Sequence, residues 1–163
     1  MIFLSIWDLE VVAAAKEGKP QLGMDFFREE FRLNNQIASM AIPYVALLDG
    51  IVMGGGVGLS IYGAYRVATE KAVFAMPETL IGYFTDIGAS HFLPRLPGKL
   101  GLFFALTGQR ITGRDLFKAG IATHFVPFEA LQKLEEDILR MENPGKSTVG
   151  NGLRSFCSKI LHI

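Results

Sequence analysis

The feature that most constrains this chain is a run of glycines that follows an apolar segment. Residues 44–48 are wholly apolar and predict a short strand that is buried on both faces. After a turn at Asp49-Gly50, a second strand runs into Met53-Gly54-Gly55-Gly56-Val57-Gly58. Consecutive glycines lack Cβ atoms, so their N–H groups can face a phosphate or a developing oxyanion. On local sequence alone, the alternative is a tight strand-to-helix corner that serves close packing.

The glycine run differs from the two common phosphate-binding motifs. No Gly-Lys-Ser or Gly-Lys-Thr follows it, which excludes a phosphate-binding loop of the nucleotide-hydrolase type. Its glycine spacing also fails the G-x-G-x-x-G template of dinucleotide-binding proteins. The run therefore belongs to neither motif, and both a phosphate and a developing oxyanion stay open as its ligand at this point.

Short strands alternate with helices along the chain, which predicts an α/β fold. Helices are predicted near residues 24–40, 100–107, 113–119 and 127–142, and strands at 66–69, 72–75 and 121–126. Residues 1–145 form the predicted domain. Residues 146–163 show no clean periodicity and are predicted to be a divergent, poorly ordered tail.

Composition narrows the class of partner. The chain has 163 residues, with 16 Lys+Arg and 16 Asp+Glu, so bulk charge attracts neither nucleic acid nor an anionic membrane. No stretch reaches 18 apolar residues without a charge, so no membrane span is predicted. Cys157 is the single cysteine, and no metal-ligand spacing is present, so we predict neither an intrachain disulfide nor a metal site.

Two carboxylates lie in an apolar stretch punctuated by glycines. Glu78 follows Met76-Pro77, and Asp86 comes eight residues later. A glutamate flanked by proline and aliphatic residues can be desolvated, which raises a carboxyl pKa and suits acid, base or nucleophilic chemistry. The alternative is that Glu78 caps a helix and Asp86 caps a turn.

The remaining candidate nucleophiles and bases are interpreted as structural. His91 and His124 have no serine or cysteine partner in a nucleophile motif such as G-x-S-x-G. Cys157 has no charged neighbour except Lys159, so a catalytic thiol is not predicted there.

Several motifs occur in a fixed order over residues 8–142. They are Phe26-Phe27-Arg28-Glu29-Glu30, Met53-Gly54-Gly55-Gly56-Val57-Gly58, Met76-Pro77-Glu78-Thr79, Phe92-Leu93-Pro94-Arg95-Leu96 and Ala119-Gly120-Ile121-Ala122-Thr123-His124. Together they resemble the crotonase (enoyl-CoA hydratase/isomerase) superfamily, and within it the 3-hydroxyisobutyryl-CoA hydrolase subgroup. The resemblance implies a ββα spiral core, here incomplete at its N-terminus, in a truncated form of a hydrolase about twice as long.

The resemblance also implies an activity. The subgroup hydrolyses 3-hydroxyisobutyryl-CoA to 3-hydroxyisobutyrate and free CoA in valine catabolism, in mitochondria, with peroxisomal relatives. Coenzyme A enters as part of the substrate, and no other cofactor is implied. Hydratases of the superfamily carry two glutamates, and Gly58 stands where this resemblance places the first of them. Thioester hydrolysis is therefore favoured over water addition.

The family's site residues carry over to five positions. The resemblance implies that Glu78 is the nucleophile or the general base, and that Asp86 orients the acyl hydroxyl or the attacking water. The backbone N–H of Gly55 is implied to form an oxyanion hole, and Glu30 to contact the acyl group. Trp7 stands where the family has glycine and would supply the second oxyanion donor through its N–H, although its indole crowds the site.

Two other interpretations fit the same residues. The chain is alternatively an inactive fragment or interaction module of this fold, or an enoyl-CoA hydratase or isomerase. The acyl preference and the oligomeric state are left open by the sequence.

Overall fold

The computed structural model describes residues 16–142 and 144–161. Within them, six short strands alternate with helices, as the sequence predicts. The strands are β1 (Val45–Leu48), β2 (Ile51–Met53), β3 (Tyr65–Ala68), β4 (Val73–Ala75), β5 (Ile111–Thr112) and β6 (His124–Phe125).

The helices are mostly short. They are α1 (Pro20–Ser39), α2 (Gly55–Ile61), α3 (Ala89–Phe92), α4 (Leu100–Thr107), α5 (Arg114–Lys118), α6 (Phe128–Leu139) and α7 (Lys146–Leu161). Two 3₁₀ turns, Glu78–Ile81 and Leu93–Arg95, complete the described elements. In the described part of the chain, no helix combines the length and apolar character that a membrane span requires.

The strands form two sheets, and the first four strands alternate between them. One sheet has the order β1-β3-β6 and is entirely parallel, with Val45 opposite Tyr65. The other has the order β2-β4-β5, with β2 and β4 parallel and β5 antiparallel to β4. Backbone bonds at the corners, from Thr69 N–H to the Leu48 carbonyl and from Val73 N–H to the Gly50 carbonyl, stack one turn of the spiral on the next.

The apolar residues form two clusters. The larger cluster contains Val52, Phe74, Met76, Ile87 and Phe104 among its buried members. A second cluster covers the outer side of the first sheet, where Val67 and Val126 meet side chains of α6 and α7. Their nearly complete burial is the main stabilising contribution to the fold.

The structure corrects two predictions about elements. Residues 146–161 are not a poorly ordered tail: they form helix α7, and its Val149 and Leu153 are fully buried against the first sheet and α6. The strand predicted at 121–126 is shorter, because only His124 and Phe125 pair with β3.

Candidate active site

Two parallel strands place the glycine run beside Glu78. Strands β2 and β4 are paired so that Met53 lies opposite Ala75, and each strand ends there. Gly54-Gly55 follow the first strand, and Pro77-Glu78 follow the second. Because the carboxyl ends of parallel strands lie at the same edge of a sheet, the segments that carry Gly55 and Glu78 begin next to each other at this edge.

The glycine run forms a strand-to-helix corner in which the backbone N–H of Gly55 is available as a hydrogen-bond donor. Gly54 has φ of 51°, a conformation that L side chains rarely adopt, and α2 begins at Gly55. The first intrahelical bonds are donated by Val57 and Gly58 to the Gly54 carbonyl, at 2.9 and 3.4 Å. The N–H of Gly55 stands before these bonds, so it can be directed at a ligand. The corner and the donor interpretations are thus both compatible with this geometry.

Glu78 is a buried carboxylate in a rigid turn. Its exposed fraction is 7%, and it begins the 3₁₀ turn that follows Pro77. The turn closes at Gly82, whose φ is 75°, and Tyr83 N–H donates to the Glu78 carbonyl at 3.0 Å. The backbone under this carboxylate is therefore fixed by hydrogen bonds on its C-terminal side.

Asp86 lies in a loop that is anchored to helix α2. The next residue, Ile87, has φ of 44° and is 1% exposed. The Tyr62 hydroxyl, at the end of α2, donates to the Ile87 carbonyl at 2.6 Å. A Cβ on Gly88 would overlap that hydroxyl, so glycine is required there. The backbone carbonyl of Asp86 closes a turn, since Ala89 N–H donates to it at 2.7 Å.

Helix α1 contributes Glu30 and Asn34 one turn apart. The helix packs against α2, with Glu30 half-buried and Asn34 only 6% exposed. The Asn34 carboxamide lies against Gly58: a Cβ at that position would be 2.9 Å from Asn34 Oδ1. The place of a side chain at position 58 is therefore occupied by Asn34, which was not among the predicted site residues. The sequence contains one indication of this role: Asn34 is a polar residue at a position where the helical spacing of Phe27 and Ile37 predicts an apolar one.

The other sequence-predicted residues lie elsewhere. Trp7 is outside the described residues. The His91 ring faces Tyr62, and His124 Nδ1 lies 2.9 Å from Thr123 Oγ1. Burial raises the pKa of the Cys157 thiol, which disfavours the reactive thiolate.

Two cavities are relevant to ligand binding. A cavity of 440 Å³ lies between α1, the end of α2 and residues 87–91, and is lined by Phe31, Asn34, Tyr62, Ile87, Gly88 and His91. A larger one, of 670 Å³, is lined by residues of α5, β6 and α7, including Arg114 and Cys157. We assign the smaller cavity to the site, because Asn34 and the Asp86 loop both border it. Among the described residues, no group of three or more His, Cys, Asp or Glu could hold a metal ion.

Comparison with known proteins gives a consistent result. Residues 8–162 match the family model described as enoyl-CoA hydratase/isomerase. The chain is 55% identical to the mitochondrial 3-hydroxyisobutyryl-CoA hydrolase of Homo sapiens over 149 residues, which is 91% of this chain and 39% of that protein. The hydrolase of the same name from Mus musculus is 56% identical over 93% of this chain and 40% of its own length. The chain thus spans about two fifths of the length of these relatives.

Solved structures share the fold. An enoyl-CoA hydratase from Rhodobacter sphaeroides superposes with a TM-score of 0.76 at 36% identity, over 83% of this chain and 41% of that one. A carnitinyl-CoA dehydratase from Mycobacterium thermoresistibile also has a TM-score of 0.76, at 37% identity, over 89% of this chain and 42% of its own. The predicted crotonase-like α/β architecture is confirmed by these likenesses.

Proposed function

Because the chain belongs to the enoyl-CoA hydratase/isomerase family, we propose that it hydrolyses 3-hydroxyisobutyryl-CoA to 3-hydroxyisobutyrate and free CoA. Two observations together carry the proposal. Glu78 is a buried carboxylate, and position 58 is a glycine whose side-chain space is filled by Asn34. This arrangement supplies one buried carboxylate beside the glycine run and leaves no room for a second at position 58. It favours acyl transfer to water over addition of water to a double bond.

The reaction requires an oxyanion site and an activated nucleophile. The thioester carbonyl oxygen accepts a hydrogen bond from the Gly55 N–H, which stabilises the charge that develops on it. Glu78 either attacks the carbonyl carbon, forming an anhydride that water then hydrolyses, or removes a proton from the attacking water. In both routes the C–S bond breaks, CoA leaves as the thiol, and the oxygen of water ends in the product carboxylate.

Three further residues have supporting roles in this proposal. Asp86 orients the acyl hydroxyl or the attacking water from a loop that Tyr62 fixes. Glu30 contacts the acyl group from the inner face of α1, and Trp7 supplies a second backbone donor to the oxyanion. Coenzyme A is present as the leaving group of the substrate. A mitochondrial location and a role in valine catabolism follow from the names of the relatives.

The test is CoA release from 3-hydroxyisobutyryl-CoA by the purified chain beside its Glu78→Gln variant. Glutamine keeps the shape of the side chain and removes its charge and basicity, so we expect the rate to fall about 10²-fold or more. Glu135→Gln, an exposed glutamate on α6, is the matched control and retains the wild-type rate. With a thiol reagent, a blank without substrate corrects for the Cys157 thiol.

The same assay separates the competing functions. Loss of enoyl absorbance from an enoyl-CoA, without CoA release from the hydroxyacyl substrate, would identify a hydratase. No turnover of either substrate by a cooperatively folded chain would identify a non-catalytic binding module. The side chains of Leu80, Ile81 and Phe84 favour this second candidate, because each is at least 66% exposed beside the site, and exposed apolar patches are typical of interaction surfaces.

A further inference from the structure

The inward face of helix α1 is polar at its centre. Gly23, Phe27, Glu30, Asn34 and Ile37 recur at spacings of three and four residues and lie along one side of the helix. Gly23, Asn34 and Ile37 are buried, and the other two are half-buried. A helix that only packs against a core has apolar residues at such positions. The two polar residues at its centre therefore require an explanation.

The Asn34 carboxamide has no hydrogen-bond partner among the described residues. Both Oδ1 and Nδ2 are buried, and the residue as a whole is only 6% exposed. Enclosing an amide without partners costs the free energy of its desolvation. Such groups are rare in folded proteins, and strain, a bound water or ion, or a functional role accounts for them.

The surroundings of Asn34 are those of a binding site. The residue lines the 440 Å³ cavity together with Tyr62, Ile87 and Gly88, so it borders the loop that carries Asp86. On its other side it contacts Gly58, three residues after the glycine whose N–H faces the oxyanion in the proposed function. Because Gly58 has no side chain, the carboxamide fits against α2 at this point. Glu30 lies one helical turn away on the same face.

We propose that the Asn34 carboxamide is a substrate-binding and specificity-determining group that hydrogen-bonds the hydroxyl of a 3-hydroxyacyl thioester. This inference rests on the proposed function and names the chemical group that the site selects. A carboxamide both donates and accepts, so it matches a neutral hydroxyl, which does the same. An acyl group without a hydroxyl leaves the buried amide unpaired in the complex, and such substrates are rejected strongly.

The test replaces Asn34 by leucine, which has the same branching without polar atoms, and Gln36 by leucine as the matched control. Gln36 carries the same carboxamide group on the same helix, is exposed and is not among the residues that line the cavity. Turnover of 3-hydroxyisobutyryl-CoA and of isobutyryl-CoA is measured for each variant. We expect Asn34→Leu to lower the ratio of their kcat/KM values at least 10-fold, and Gln36→Leu to leave it within about twofold.

Stability provides a readout that does not depend on turnover. Since the amide has no partner to lose among the described residues, Asn34→Leu is expected to leave the Tm unchanged or to raise it. A lower Tm together with an equal loss for both substrates would overturn the proposal and assign Asn34 a structural role. If leucine does not fit beside Gly58, Asn34→Ala removes the same amide without added volume, and the same fall in the ratio is expected.

Binding separates this inference from the proposed function. The affinities of both thioesters are measured by calorimetry on the Glu78→Gln chain, with and without Asn34→Leu. A hydroxyl preference that disappears with Asn34→Leu supports the inference even if the wild-type chain releases no CoA. Binding of both thioesters without a preference overturns the inference alone, and no binding of either overturns it together with the proposed function.

Discussion

At the scale of single residues, Ile87 shows how the site is held in place. A β-branched residue with φ of 44° is strained, because its side chain crowds the backbone in this region. The strain is tolerated because the side chain is buried in the main apolar cluster and the carbonyl accepts a bond from Tyr62. Since Ile87 follows Asp86 directly, the same contacts hold the backbone next to Asp86 in place.

We predict that Tyr62→Phe weakens both the fold and the activity. The change removes the hydroxyl and leaves the Ile87 carbonyl without this bond, at a cost of about 1–2 kcal/mol in the free energy of unfolding. Denaturant titration measures that loss, and the CoA-release assay is expected to show a lower kcat. Tyr44→Phe is the control, because the Tyr44 hydroxyl makes no hydrogen bond to the described residues. Equal effects in both variants would contradict the assigned role.

The sequence predicts the candidate carboxylates better than it predicts the residues that hold them in place. Glu78 was predicted to be desolvated from its proline and aliphatic neighbours, and it is 7% exposed. The bond between Tyr62 and Ile87 spans 25 positions and depends on where a helix ends relative to a loop. Local patterns carry no information about such a contact. The environment of Asn34 was missed for the same reason, since Gly58 lies on another helix.

At the scale of elements, periodicity predicted most of the fold. The short apolar strands β1, β3 and β4 and helix α6 lie where residue spacing placed them. Helix α7 was missed because its sequence, Lys146–Leu161, is rich in serine, glycine and asparagine, which are poor helix formers. Tertiary packing overrides that preference: Val149 and Leu153 are buried, and the Tyr65 hydroxyl donates to the Lys146 carbonyl at 2.6 Å.

We predict that Leu153→Ala destabilises the chain by about 2–5 kcal/mol, because the truncation removes buried contacts and leaves a cavity. Ile160→Ala on the same helix is the control, since Ile160 is 40% exposed, and it should cost well under half as much. Thermal unfolding of both variants gives the comparison. Similar values for the two would mean that α7 does not pack on the sheet in solution.

At the scale of the whole molecule, one half-buried cation joins parts of the chain that are distant in sequence. Arg66 on β3 donates to the carbonyls of Ile121, Ile61 and Gly63, at 2.6, 3.0 and 2.8 Å. These bonds connect the first sheet, the end of α2 and the segment before β6. Charge-assisted bonds to helix-end carbonyls are stronger than neutral ones, so Arg66 stabilises the relative placement of these elements. Its charge also acts on His124, one strand away.

The surroundings of His124 make the stability of the whole chain depend on pH. Burial lowers the pKa of His124 below its usual 6.5, and the positive charges of Arg154 and Arg66 lower it further. Between that lowered pKa and 6.5 the unfolded chain binds more protons than the folded one, so stability falls as the pH falls. Above 6.5 the His124 contribution is fully present. We therefore expect the free energy of unfolding to decrease from pH 7.5 to pH 5.5.

The His124→Asn variant tests the assignment, because asparagine retains a polar atom near the Thr123 hydroxyl and does not titrate in this range. His124 is only half-buried, so solvent screening limits its share of the change to below about 1 kcal/mol. Urea titrations at several pH values should give a shallower decline for the variant than for the wild type. Parallel declines would instead place the pH dependence on other groups, and would mean that the Arg66 network stabilises the fold without coupling it to His124.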